Sequence, residues 1–140
     1  MHEDLLKACE ILRSESCTCV LCKFQTVYKS RLRGVAPLLQ LLQEGSDFSG
    51  FSAADRVVGK AAAFLYCLLG VERVAAGVIS HGALQVLQEH SVEVRYNVLT
   101  DRIMNRNRDG FCPMETAVSS TTDPQEALLC IRSTLDRLNQ

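Results

Sequence analysis

S-A-A-D-R-V-V-G-K-A-A-A-F-L-Y-C-L-L, residues Ser52 to Leu69, is the stretch around which the rest of the chain is organised. On a helical wheel Val57, Val58, Ala61, Ala62, Ala63, Phe64, Leu65, Cys67, Leu68 and Leu69 leave no broad polar face. A helix that is apolar on every side is a buried helix, so the spacing predicts one central helix over 52–69. Ser52 and Asp55, three apart, supply side-chain oxygens for the free amides at its start. Gly70 follows the last apolar residue, where a left-handed stop belongs. Lys60 is the one charge inside the apolar part. Gly59 precedes it and costs a helix interior about 1 kcal/mol, which points to a close backbone approach at this place.

Outward from that stretch, 140 residues suit a single domain spanning 1–140 with a sizeable core. Hydrophobic residues at 47% and charged residues at 22% are ordinary for a globular chain. A net charge of −1 gives no basic footprint, so nucleic acid is not an expected partner. The N-terminus M-H-E-D-L-L-K lacks the basic-then-apolar pattern of an export signal. The run Ala61 to Val71 is too short to span a bilayer, so no membrane association is expected. The chain reads as cytoplasmic, with its seven cysteines reduced. Cys19 and Cys22 form C-x-x-C, but the surrounding C-T-C-V-L-C-K-F reads as a strand. Cys17 and Cys19 then face one way and Cys22 the other, and no second C-x-x-C completes a site. No metal and no cofactor is expected.

Residues 3–13 carry an amphipathic stripe of Leu5, Leu6, Cys9 and Leu12. Two short strands follow at 17–24 and 26–31, as a hairpin. V-A-P-L-L-Q-L-L-Q-E-G is a helix, with Pro37 near its start and Gly45 after its end. Beyond the central stretch, R-V-A-A-G-V-I is an all-apolar inner strand. Ser80 caps a helix, and 92–98 is another strand. Cys112-Pro113-Met114-Glu115 opens a short helix. Asp123-Pro124-Gln125-Glu126 opens the last one, with Leu128, Ile131, Leu135 and Leu138 on its core stripe. The unit 73–98 is a parallel strand–helix–strand crossover. The sum is an α/β fold, a three-layer α/β/α sandwich with a small mixed sheet.

R-G-V-A-P-L-L (33–39), A-D-R-V-V-G-K-A-A-A (54–63), V-I-S (78–80), N-R (105–106) and C-P-M-E (112–115) occur in that order. Together they resemble an uncharacterised family of small prokaryotic proteins with a cytidine-deaminase-like fold. The resemblance implies that fold and no particular activity. Zinc deaminases carry H-x-E at the start of the central helix and P-C-x-x-C at the start of the next crossover helix. Set against that pattern, Ala53 stands at the metal-binding histidine and Asp55 at the proton-shuttling glutamate. Ser80 and Ala83 stand at the two cysteines. Three zinc ligands are not present, so the expectation is a protein without stoichiometric zinc.

Ligands of open α/β sheets bind outside the carboxyl ends of the parallel strands. Three helix starts are expected there: Ser52–Asp55, Ser80–Ala83 and Cys112–Glu115. Their free amides favour anionic groups. The candidate ligand-binding residues are Lys60, Ser80, Asn105 and Arg106; the candidate catalytic residues are Cys112, Asp55 and Glu115. Lys60 is expected to be buried against a carboxylate, Asp55 or Glu115. Cys112, opening a helix beside Arg106, is expected to be the most reactive thiol. Two readings follow. The first is a metal-free protein that binds a small anionic or nucleotide-like ligand. The second is a metal-independent enzyme with Cys112 as nucleophile or redox thiol and Asp55, Lys60 or Glu115 moving protons. The partner is a small molecule, and self-association into a homo-oligomer is left open.

Overall fold

In the computed structural model the 52–69 stretch is two elements, not one. Ser52–Val58 is a strand, and the helix begins only at Lys60 and runs to Leu69. The structure describes residues 2–103 and 113–138. The sequence misleads here for a physical reason. A strand covered on both faces reads as a continuous apolar run, as a buried helix does, so periodicity does not separate them. Gly59 is the joint, with extended backbone at φ −92° and ψ 176°, and it occupies the N-cap of the helix. Ser52 and Asp55 therefore cap nothing at a helix start. Gly70 does end the helix, at φ 88°.

In chain order the elements are α1 (Glu3–Ser14), β1 (Cys19–Lys23), β2 (Thr26–Ser30), α2 (Ala36–Gln43), β3 (Ser52–Val58), α3 (Lys60–Leu69), β4 (Arg73–Ser80), α4 (His81–Glu89), β5 (Glu93–Thr100), α5 (Pro113–Ala117) and α6 (Pro124–Leu138). They build one mixed sheet in the order β2-β1-β3-β4-β5. β1 runs antiparallel to both its neighbours, while β3, β4 and β5 are parallel. The crossover through α4 is the expected strand–helix–strand unit, and β3–α3–β4 is a second one that the reading of 52–69 as a single helix did not contain.

Helices flank the sheet on both faces, giving three layers. α1 packs on β1 and β3, and α3 lies on the other face among α2, α4 and α6. Side chains of β1 alternate between the two cores. Cys19 and Leu21 join the main core with Phe64, Leu65 and Tyr66 of α3. Val20 and Cys22 join a smaller core with Ala8 of α1. Cys17 does not share a face with Cys19, contrary to the alternation expected of one continuous strand. It precedes the strand, so the alternation does not bind it, and it packs with Cys22 while Cys19 faces the opposite layer. The amphipathic stripes are also rotated from their expected positions. α1 buries Leu5 and Ala8 and leaves Leu6 exposed. α6 buries Ala127, Ile131 and Thr134, half-buries Leu128 and Leu135, and exposes Leu138.

β3 and β4 approach closely where the site begins. A Cβ on Gly77 would stand 2.6 Å from the Arg56 carbonyl oxygen, a backbone atom that cannot swing aside. The Arg56 guanidinium in turn donates to the carbonyls of Cys17 and Leu12, tying β3 to the end of α1. Gly77→Ala is expected to destabilise the fold by roughly 1–3 kcal/mol, the usual range for overpacking. Urea unfolding measures it, and a loss too small to resolve would mean that β3 and β4 separate freely.

Candidate ligand-binding site

The parallel strands β3, β4 and β5 deliver their carboxyl ends to one edge, at Val58, Ser80 and Thr100. Two helix starts follow at once, at Lys60 and His81, and α5 contributes Glu115 to the same place. The Glu115 side chain accepts from the Lys60 amide at 2.8 Å through one oxygen and from the Ala61 amide at 3.0 Å through the other. It thus caps a helix other than its own. A carboxylate is well placed there, because the first amides of a helix lack internal partners and carry partial positive charge. Gly59 makes the contact possible: a Cβ at that position would lie 2.5 Å from the Glu115 carboxyl carbon.

Lys60 is half-buried, and among the described residues its ammonium does not meet a carboxylate. It donates to the Ser119 carbonyl at 3.0 Å and sits 5.8 Å from the centre of the Phe64 ring. Its stem runs against Gly82 of α4. Ser80 is buried and its hydroxyl accepts from the Ala83 amide at 3.1 Å, the expected cap. Lys60, Ser80, Gly82, Asp101, Arg102 and Glu115 help to enclose a cleft of about 220 Å³. His81, which has no partner in the sequence reading, lies 3.4 Å from the exposed Asp101 carboxylate at the same edge.

A second cleft, of about 520 Å³, opens on the far side of Glu115. Val35, Ala61, Ala62 and Met114 give it apolar walls, with Asp55 and Cys19 among its polar groups. Asp55 and Cys19 stand opposite each other in the β1–β3 pairing. Between them the fully buried Tyr66 of α3 donates its hydroxyl to Asp55 Oδ2 at 2.6 Å and also hydrogen-bonds the Cys19 thiol. Burial pushes the Asp55 carboxyl up to about 6, against the opposing pull of the Tyr66 hydroxyl and the Val57 and Arg56 amides. Burial, with the Asp55 charge second, pushes the Cys19 thiol up to about 12. It also raises Cys9, Cys22 and Cys67, the last to about 11, so these thiols are poorly ionised.

Of the residues singled out in the sequence, Lys60, Ser80 and Glu115 meet at the smaller cleft. Asp55 belongs to the larger one, and Glu115 walls both. Asn105, Arg106 and Cys112 lie outside the described residues. Ser52 is a buried residue at the opposite end of β3, where its hydroxyl accepts from Arg73. The residues missed were Tyr66 and Cys19. Tyr66 is the one hydroxyl in the run A-A-A-F-L-Y-C-L-L, and a buried phenol needs a partner; that was the available signal. Among the described residues, no group of three or more His, Cys, Asp or Glu side chains is gathered as a metal site would require.

The chain matches a family profile described as a domain of unknown function (DUF1893), over residues 7–135. It is similar to the crystal structure of a DUF1893 family protein (TM1506) from Thermotoga maritima, with a TM-score of 0.85 and 25% identity. That likeness covers 98% of this chain and 92% of the other. No curated protein matches.

Proposed function

The chain belongs to the DUF1893 family, and from that premise we propose that it binds a small anionic or nucleotide-like ligand at the carboxyl edge of its sheet, on a cytidine-deaminase-like scaffold. The observation that carries this reading is the pair of clefts meeting at Glu115, outside the ends of the parallel strands. The larger has the volume of a small-molecule pocket. The smaller has Lys60 and Arg102 in its wall. The mixed sheet with two successive parallel crossovers supports the scaffold. Because Glu115 already occupies the first amides of α3, the anionic group is met by the Lys60 ammonium rather than by the helix start.

Isothermal titration with AMP, and separately with inorganic phosphate, tests the reading. AMP is expected to bind, with affinity falling as salt is added. Lys60→Met is expected to weaken it about tenfold, the loss of one charge-assisted contact worth about 1.4 kcal/mol. Among the described residues the ammonium makes an exposed bond to a carbonyl and no buried ion pair, so this variant should stay folded. No binding of either compound at millimolar concentration, or equal binding by Lys60→Met, overturns the proposal.

A further inference from the structure

Asp55 carries a negative charge into a mostly apolar cleft, and among the described residues every hydrogen-bond donor to it is neutral. Those donors are the Tyr66 hydroxyl at 2.6 Å, the Val57 amide at 3.3 Å and the Arg56 amide. A carboxylate has room for about four donors, so lone pairs remain for a ligand. Neutral donors satisfy geometry but leave the charge uncompensated, and a buried charge is stable only when paired. The walls formed by Val35, Ala61, Ala62 and Met114 suit a flat apolar body.

We propose that the larger cleft recognises a flat organic cation, or the paired N–H edge of an amidine-like group, held by the Asp55 carboxylate with Tyr66 as positioning residue. A planar fork of two N–H donors matches the two oxygens of a carboxylate. This rests on the ligand-binding reading above and assigns the chemistry of the ligand's flat end. An anion in the same place would meet Asp55 and Glu115 together. Among the described residues, the groups facing Asp55 are the Cys19 thiol on β1 and the Tyr66 hydroxyl on α3. Glu115 on α5 and the exposed Arg33 ahead of α2 stand in the wall of the same cleft. Arg56 directs its guanidinium to the carbonyls of Leu12 and Cys17 instead. The raised Asp55 carboxyl, at about 6, makes recognition depend on pH.

Benzamidine and benzoate are nearly the same shape and opposite in charge, so they serve as the pair of probes for the full chain. Benzamidine is expected to bind about tenfold more tightly at pH 8 than at pH 5, since a carboxyl titrating near 6 is mostly protonated at the lower value. Benzoate is expected not to bind at either pH. Asp55→Asn should abolish benzamidine binding. Tyr66→Phe, with its fold checked by circular dichroism, should keep binding but move the pH midpoint upward, because a bond that favours the carboxylate is gone. A Tyr66 that merely filled space would leave the midpoint unmoved. Equal or tighter binding of benzoate, binding that survives in Asp55→Asn, or no binding of either compound overturns the proposal. Lys60→Met separates the two readings: it should weaken AMP and leave benzamidine unchanged. Benzamidine binding without AMP binding would remove the anionic reading alone.

Discussion

Asp55→Asn is expected to stabilise the folded protein at pH 8 by roughly 1–2 kcal/mol and to give no gain near pH 4. The folded carboxyl titrates at about 6, above the ordinary value near 3.8. Between those values the folded state holds more protons than the unfolded one, so stability falls as pH rises through the interval. Above it the charged carboxylate is a fixed cost. Holding a carboxyl at about 6 instead of 3.8 corresponds to about 3 kcal/mol. Asparagine can still accept the Tyr66 hydroxyl, but it has one carbonyl oxygen and loses the longer bond from Val57. That loss removes about 1 kcal/mol of the gain. Urea unfolding of both proteins at pH 4 and pH 8 measures it. Equal stability at pH 8, or the same difference at both pH values, would show that the carboxyl is not held under stress. A natural sequence that keeps a destabilising carboxylate where a neutral isostere fits is what a functional group looks like.

The second large effect is a coupling. Gly59→Ala is expected to cost roughly 2–4 kcal/mol, although its backbone at φ −92° and ψ 176° suits alanine without strain. The new methyl would occupy the place of the Glu115 carboxyl and drive it off the Lys60 and Ala61 amides. Bonds to charged groups contribute about 1.5–3 kcal/mol each, discounted here because the site is only part-buried. Glu115→Ala should cost a similar amount by leaving the same amides bare. In the Glu115→Ala background, Gly59→Ala should then cost almost nothing, since the methyl enters vacated space. The double-mutant cycle reads this as a coupling of about 2 kcal/mol or more. Additive costs would mean that alanine at 59 collides with something other than Glu115.

Much of the fold was legible because its punctuation is chemical. Ser80 caps α4, Asp123 accepts from the Glu126 amide at the start of α6, and Gly70 stops α3, each as its residue type dictates. The all-apolar run of β4 was rightly an inner parallel strand. The break between β3 and α3 was not legible. Ala53 and Ala54 are buried on opposite faces of β3 and α3 is buried nearly all round, so the period that distinguishes strand from helix is lost there, and only Gly59 marked the joint. That glycine was read as a close approach, which it is, but inside a helix rather than ahead of one. Glu115 was expected at this edge as a proton-moving group, and in the structure its carboxylate accepts from the Lys60 and Ala61 amides. Nothing local in the sequence reveals that its side chain reaches the amides of another helix, α3. The Asp55–Tyr66–Cys19 cluster joins three elements, so its grouping is a product of strand register and helix placement and not of spacing along the chain.

Glu115 is also a partition. Among the described residues it is the side chain that lines both the cleft around Lys60 and the cleft around Asp55, and it stoppers the positive end of α3. Shortening that residue would at one stroke merge two small chambers and expose a seat for an anion. A lineage built on this scaffold therefore has a single-codon route to a differently shaped and differently charged cavity. The sheet beneath would need no change, because Glu115 belongs to α5 and not to a strand.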